Sequence, residues 1–359
     1  MTEQRLKEII SRFEDPDLKK DLGSLNFIQK IDTDGNIINI ELFITNPENS
    51  DTLRKDIINS IKSELSSSEK IDVKFSLGIL NHSDKQKDAI LPKVKNTIAI
   101  ASGKGGVGKS TIAVNLAAAL SALGAKVGLI DADIYGPSIP MMLGVNERPE
   151  VIKAGDKHKM LPVVSHGIKL MSIGFMMEAN TAVVWRGPMA SSALKQFMSE
   201  VIWDELDYLL FDMPPGTGDI QLTLSQTIPL TGAVIVTTPQ EISLSDAIKG
   251  HLMFEKVNVP TLGIIENMSY YMNPDNSKEY IFGNGGGEKM SKEYNLKLLG
   301  EIPIATKIRE YGDSGIPIVI SQPENEISKL FKKISMELIK EINIRNISET
   351  GRPKLEILM

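Results

Sequence analysis

The sequence predicts a doubly wound, mainly parallel α/β sheet preceded by a small α+β domain. Three observations point there. From Thr97 onward, short continuous apolar runs (IAIAS, VGLIDAD, YLLFDM, AVIVTT, LGIIENM) alternate with helical patterns. Runs this short, bounded by Gly, Pro or polar residues, read as strands buried on both faces. A glycine-rich stretch joins the first run to the helical pattern IAVNLAAALSALG, the order of a strand–loop–helix unit. Before Thr97 the patterning differs, with amphipathic helices and alternating strands in a separate small unit.

That first unit spans residues 1–80. Leu6, Ile9, Ile10 and Phe13 recur at helical spacing up to Asp15-Pro16. Ile37–Ile44 alternates apolar and polar residues, as a half-buried strand does. Leu53, Ile57, Ile58 and Ile61 mark a second helix, and Ile71, Val73, Phe75 and Leu77 a second strand. Residues 81–96 (NHSDKQKDAILPKVKN) are polar and aperiodic and are expected to be a linker. The α/β domain is expected over 97–345 and a tail over 346–359. Residues 331–344 combine apolar spacing with lysines, which suits a core or capping helix.

Composition excludes several roles. The chain has 359 residues and a formal net charge of -6, which gives no support to nucleic-acid binding. It has no cysteine, so disulfides and thiolate metal sites are excluded. The charged N-terminus lacks a signal-like apolar segment, and no apolar run is long enough for a membrane span. The expected location is cytoplasmic, with no membrane partner.

The strongest motif is Gly103-Lys104-Gly105-Gly106-Val107-Gly108-Lys109-Ser110-Thr111. It satisfies GxxxxGK[ST] between a strand and a helix, which is the P-loop pattern. Glycines let backbone amides converge on phosphate oxygens, and the helix N-terminus adds partial positive charge. Lys109 is expected at the β/γ-phosphates, Ser110 on Mg²⁺ and Thr111 at a further phosphate. Lys104 is a second cation that an ordinary loop of this kind does not need.

Acidic residues end the following strands. Asp131 and Asp133 are two apart on an extended chain and project to one side. One can hold the magnesium shell, the role expected of Asp131, while the other orients or deprotonates water. Asp212 closes the run YLLFD and is expected to bind Mg²⁺ through water. The sequence Pro214-Pro215-Gly216-Thr217-Gly218-Asp219 that follows reads as a nucleotide-sensing switch. Together these features point to ATP hydrolysis.

KGGVGKST resembles the deviant Walker A motif of the MinD, ParA and nitrogenase iron protein class. In that class the equivalent of Lys104 crosses a dimer interface. IAIASGKGGVGKSTIAVNLA, LIDADIYGPSIPMMLG, VWRGPM, FDMPPGTGD, ENMSYY and IFGNGGGEK together resemble the Mrp/NBP35 (ApbC-like) family of iron–sulfur cluster carrier P-loop ATPases. Residues 1–80 are similar to the MIP18-like domain that bacterial members carry. The resemblance implies an ATP-hydrolysing homodimer with a bridging [4Fe-4S] cluster and apo-protein or scaffold partners. It places a catalytic aspartate at Asp133, adenine recognition at Asn267 and a base-covering contact at Pro303. The sequence departs from the family where it usually carries CxxC, which here is Asn273 and Asn276, and where the N-terminal domain usually carries cysteine, which here is Asn49. The alternative is a cluster-free, nucleotide-gated dimerisation switch of the MinD/ParA type.

Methionine-rich residues 171–177 read as core packing, Trp185-Arg186 as an interface pair, and the GNGGG run at 283–287 as a tight turn into a helix.

Overall fold

The computed structural model describes residues 2–34, 36–64, 69–155, 157–176 and 187–350. The chain forms two compact units, one of residues 1–80 with 339–359, the other of residues 81–338.

In the first unit, β1 (Ile28–Asp34) pairs antiparallel with β2 (Ile37–Ile44), and β2 pairs parallel with β3 (Lys70–Leu77). The helix Glu3–Ile10 is capped by Thr2 and buries Leu6, Ile9 and Ile10. The helix Asp51–Glu64 buries Leu53, Ile57 and Ile61 in the same core. Buried Asp15 ties a turn to β2: its carboxylate accepts from the amides of Asp17 and Leu18 (2.9 Å each) and of Thr45 (2.7 Å). Strand β1 escaped the sequence reading because its apolar residues Ile28 and Ile31 are only partly buried.

The second unit is built on an eight-stranded sheet. In chain order its strands are β4 (Val94–Ala101), β5 (Val127–Asp131), then β8 (Val163–Ser165) and β9 (Ile168–Ser172), which follow a separate hairpin of β6 (Glu150–Ala154) and β7 (Lys157–Leu161). Next come β10 (Leu206–Asp212), β11 (Gly232–Thr237), β12 (Thr261–Glu266) and, after a short hairpin of β13 (Tyr271–Met272) and β14 (Lys278–Glu279), β15 (Leu298–Glu301). The spatial order is β15-β12-β11-β4-β10-β5-β9-β8. Every pairing is parallel except β8 with β9. Helices cover the sheet; Lys109–Ala122, directly after the glycine loop, is apolar on all sides and buried along most of its length.

Two expected boundaries move. Residues 81–96 are not a bare linker: they hold the helix Lys85–Ile90 and the start of β4, and cluster with the second unit. Buried Lys87 fixes this segment, its ammonium bonding Asn81 Oδ1 (2.9 Å) and the carbonyls of Val94 (2.9 Å) and Lys95 (3.2 Å). The final helix, Glu326–Thr350, runs unbroken through the boundary expected at 345. Its part beyond residue 338 belongs to the first unit, where Asn343 donates to the Gly78 carbonyl (2.9 Å) and accepts from the Leu80 amide (3.0 Å).

Within the methionine-rich stretch, Met171 is buried in β9 while Met176 is exposed. Met177, Trp185 and Arg186 lie outside the described residues. Among the described residues, no helix is long and apolar enough to cross a membrane.

Candidate nucleotide site

Strand register assembles the site. β10 lies between β4 and β5, so their C-terminal ends open on one edge of the sheet. Asp212, last in β10, pairs in register with Asp131, last in β5. The loop after β4 crosses the same edge and turns into the helix at Lys109. This edge is where doubly wound sheets bind ligands.

The loop is shaped by its glycines. Gly106 and Gly108 have φ of 82° and 80°, a region other residues rarely enter. Gly108 also makes room for a side chain, since a Cβ there would overlap the Asn267 amide nitrogen. That amide donates to the Val107 carbonyl (2.8 Å), so Asn267, at the end of β12, already touches the loop. A cavity of about 220 Å³ opens here, lined by Gly105, Gly106, Gly108, Lys109, Ser110, Thr111, Asp133 and other residues of this edge.

Charged side chains converge at its base. Lys109 is 6% exposed, and its ammonium lies 2.7 Å from Asp212 Oδ1 and 3.2 Å from Asp133 Oδ2. The Ser110 hydroxyl donates to Asp212 Oδ2 at 2.6 Å. Burial works to lower the Lys109 pKa, but the charges of Asp212 and Asp133 outweigh it, and the net shift is upward. Lys109 therefore stays protonated.

Asp131 is fully buried and faces a different set of groups. Its Oδ1 accepts from the Asp133 amide (3.2 Å); its Oδ2 accepts from Ser172 Oγ (3.0 Å) and the Ile139 amide (3.3 Å). Burial and the neighbouring Asp212 push its pKa up to about 8, against the pull of those three donors. Asp133 Oδ1 accepts from the Tyr135 amide (3.1 Å), leaving Oδ2 towards Lys109.

The remaining expected residues lie on the same edge. Gly103 packs so closely on the helix Glu241–Lys256 that a Cβ would overlap the Asp246 carbonyl. Lys104 is half-exposed, and its carbonyl accepts from Ser102 Oγ (2.9 Å). Pro303 is half-buried between Ile302, whose amide donates to the Glu266 carbonyl (2.8 Å), and Ile304, whose amide donates to the Tyr270 carbonyl (2.7 Å). Sequence reasoning missed Ser172, which supports Asp131; its one signal was a polar residue ending an apolar run, as in the neighbouring strands.

The segment where the resemblance expects the family's CxxC is an exposed hairpin turn between β13 and β14. Its polar groups bond one another: Asn273 Nδ2 to Ser277 Oγ (3.1 Å), Ser277 Oγ to Asp275 Oδ1 (2.6 Å), and the Ser277 amide to the same oxygen (2.9 Å). Clusters are held mainly by thiolates, and the chain has none. Among the described residues, no group of three or more His, Asp or Glu could hold a metal. These residues do not fit a thiolate-held [4Fe-4S] cluster.

A glycine cradle opening onto a helix, with a protonated lysine between two carboxylates beneath it, defines a nucleotide-binding P-loop NTPase. Comparison with known proteins narrows the class. Residues 93–339 match the family described as NUBPL iron-transfer P-loop NTPase, and residues 3–75 match the iron-sulfur cluster assembly protein family. The iron-sulfur cluster carrier protein of Haemophilus influenzae is 49% identical over 345 residues, covering 94% of this chain and 92% of its own. That of Escherichia coli K12 is 47% identical over 331 residues, covering 91% and 88%. Among solved structures, a nucleotide-binding protein of Archaeoglobus fulgidus in complex with ADP is similar, with TM-score 0.59 and 36% identity, covering 70% of this chain and 98% of that one. The cell division ATPase MinD of Pyrococcus furiosus, at 23% identity and TM-score 0.51, covers 68% of this chain and 98% of its own and shares the fold. The chain belongs to the iron–sulfur cluster carrier family of P-loop NTPases.

Proposed function

We propose that the chain binds Mg²⁺–ATP in the cradle of residues 103–111 and hydrolyses it as a homodimer. The observation that carries this reading is the placement of Lys109 between Asp212 and Asp133 at the foot of the glycine loop. A protonated lysine there meets the charge of the β- and γ-phosphates, while loop amides and the helix N-terminus hold their oxygens. Asp133, whose Oδ2 lies beside Lys109 at the cradle, orients the attacking water and takes its proton. The water oxygen bonds to the γ-phosphorus, the bond to the β–γ bridging oxygen breaks, and ADP leaves with that electron pair.

Ser110 and Asp212 offer hard oxygen donors side by side, a set that suits Mg²⁺, which supplies charge neutralisation at the phosphates when bound. Asp131, expected on Mg²⁺, has both oxygens engaged by the Asp133 and Ile139 amides and Ser172, and acts instead from behind, holding the Asp133 backbone. Asn267 contacts adenine, an edge its amide can match as both donor and acceptor, and Pro303 flanks the base. Lys104 reaches the nucleotide of the facing subunit.

The relatives named iron-sulfur cluster carrier proteins imply a cluster as cargo. This chain offers no thiolate to hold one. That fact favours a second reading within the same family, a nucleotide-gated dimerising scaffold. Phosphate release and light scattering test the main proposal. Asp133→Asn is expected to bind ATP, accumulate as dimer and release no phosphate. Turnover at the parental rate would remove Asp133 from the mechanism.

A further inference from the structure

Glu266 is a fully buried carboxylate to which the hydrolytic scheme gives no work. It ends β12, immediately before Asn267. Its Oε1 accepts from the Ser269 hydroxyl, and its Oε2 accepts from the Gly287 amide in the first turn of the nine-residue helix Gly286–Tyr294. An anion suits that position, because a helix N-terminus carries partial positive charge and unsatisfied amides.

The glycine run at 283–287 fits this contact. A Cβ on Gly287 would lie 3.1 Å from Glu266 Cβ and 3.2 Å from Oε2, and one on Gly286 would lie 2.7 Å from the Pro239 carbonyl oxygen. Small residues let the helix start close onto the carboxylate and onto Pro239, just after β11. Backbone bonds fix the same point from two more sides: the Glu266 carbonyl accepts from Ile302, and the Asn267 amide donates to Thr237, both at 2.8 Å. From this anchored strand end the Asn267 side chain reaches the Val107 carbonyl of the glycine loop.

We propose that Glu266 is a positioning residue for nucleotide recognition, locking the end of β12 between Ser269 and Gly287 so that Asn267 meets the base at a fixed place. This rests on the reading of Asn267 as the adenine contact. The Glu266 carboxylate bonds Ser269 and Gly287, whereas Lys109 is paired with Asp212 and Asp133, so its loss is expected to weaken discrimination between bases more than affinity for phosphates. A glutamine in its place keeps the shape and can turn its carbonyl to the Gly287 amide and its NH₂ to the Ser269 hydroxyl, which can also accept, so the charge is lost and both bonds become neutral ones.

Calorimetric titration of the full chain with Mg²⁺–ATP and Mg²⁺–GTP, alongside thermal melting, tests this. For the parent protein, ATP is expected to bind more tightly than GTP. For Glu266→Gln, Kd for ATP is expected to rise about tenfold, as two charge-assisted hydrogen bonds weaken to neutral ones, with GTP affinity changed by less than about twofold. Ser269→Ala, which leaves the carboxylate and its helix contact in place, is expected to shift the same ratio by a smaller factor, and it serves if Glu266→Gln does not fold. An ATP-to-GTP ratio unchanged in the variants, whatever happens to the melting temperature, would make Glu266 purely structural and overturn the proposal. So would equal weakening of both nucleotides. If the parent binds no nucleotide, the reading of the whole site fails instead.

Discussion

Lys109 Nζ and Asp212 Oδ1 stand 2.7 Å apart although 103 positions separate them in the chain. The lysine opens the helix after the glycine loop, and the aspartate closes the strand beside β4. Both are buried, so neither charge has much water to fall back on.

Lys109→Ala should therefore cost stability as well as turnover. It leaves Asp212 in the interior without its cation, at a cost of about 3 kcal/mol. Urea unfolding of ligand-free protein should show that loss, together with disappearance of ATP hydrolysis. Unchanged stability would mean that the ion pair contributes nothing in solution.

Gly108→Ala tests the close approach of loop and Asn267. The residue holds a left-handed backbone, and the new methyl group would collide with the Asn267 amide. Strain of this kind is worth about 1–3 kcal/mol. The expected result is a lower melting temperature and at least about tenfold weaker nucleotide binding; parental affinity in calorimetry would show that the loop and Asn267 separate freely.

Asp131 carries a pH dependence whose sign is fixed. Its folded pKa, pushed to about 8 by burial and by Asp212, lies above the unfolded value of 3.8. The folded state thus holds a proton that the unfolded state has released. The associated stability is fully present below 3.8 and is lost as pH rises towards 8, at no more than about 1.4 kcal/mol per pH unit. Urea titrations of ligand-free protein at pH 6, 7 and 8 should show this decline, and Asp131→Asn should make it shallower. Equal slopes in parent and variant would place the proton elsewhere.

The cluster question has a direct readout. Anaerobic incubation with iron and sulfide should leave the purified chain without stoichiometric cluster, by absorbance and iron content, with or without ATP. Restoring thiolates through Asn273→Cys with Asn276→Cys should raise cluster occupancy. Stoichiometric cluster on the parent chain would show that oxygen and nitrogen ligands suffice.

Much of this architecture was legible in the sequence, for identifiable reasons. β4, β5, β10, β11 and β12 are buried on both faces, so their residues run continuously apolar, and the glycine loop is contiguous. Both signals survive without a structure. β1 and β15 carry no comparable run: the first is half-exposed, and the second is four residues long. Support residues were hidden by separation. Ser172 meets Asp131 across 41 positions and Gly287 meets Glu266 across 21; local pattern is silent about such pairs. The helix after residue 338 looked like an ordinary extension of the second unit, and its asparagine contacts with Gly78 and Leu80 could not be read from apolar spacing.

The proposed function depends on residues 103–111 gathering a triphosphate around Lys109. Calorimetric titration with Mg²⁺–ATP reads this gathering without any coupled step. The expected result is saturable binding of one nucleotide per chain, abolished in Lys109→Ala. No heat of binding at millimolar nucleotide, or equal affinity in the lysine variant, would contradict it.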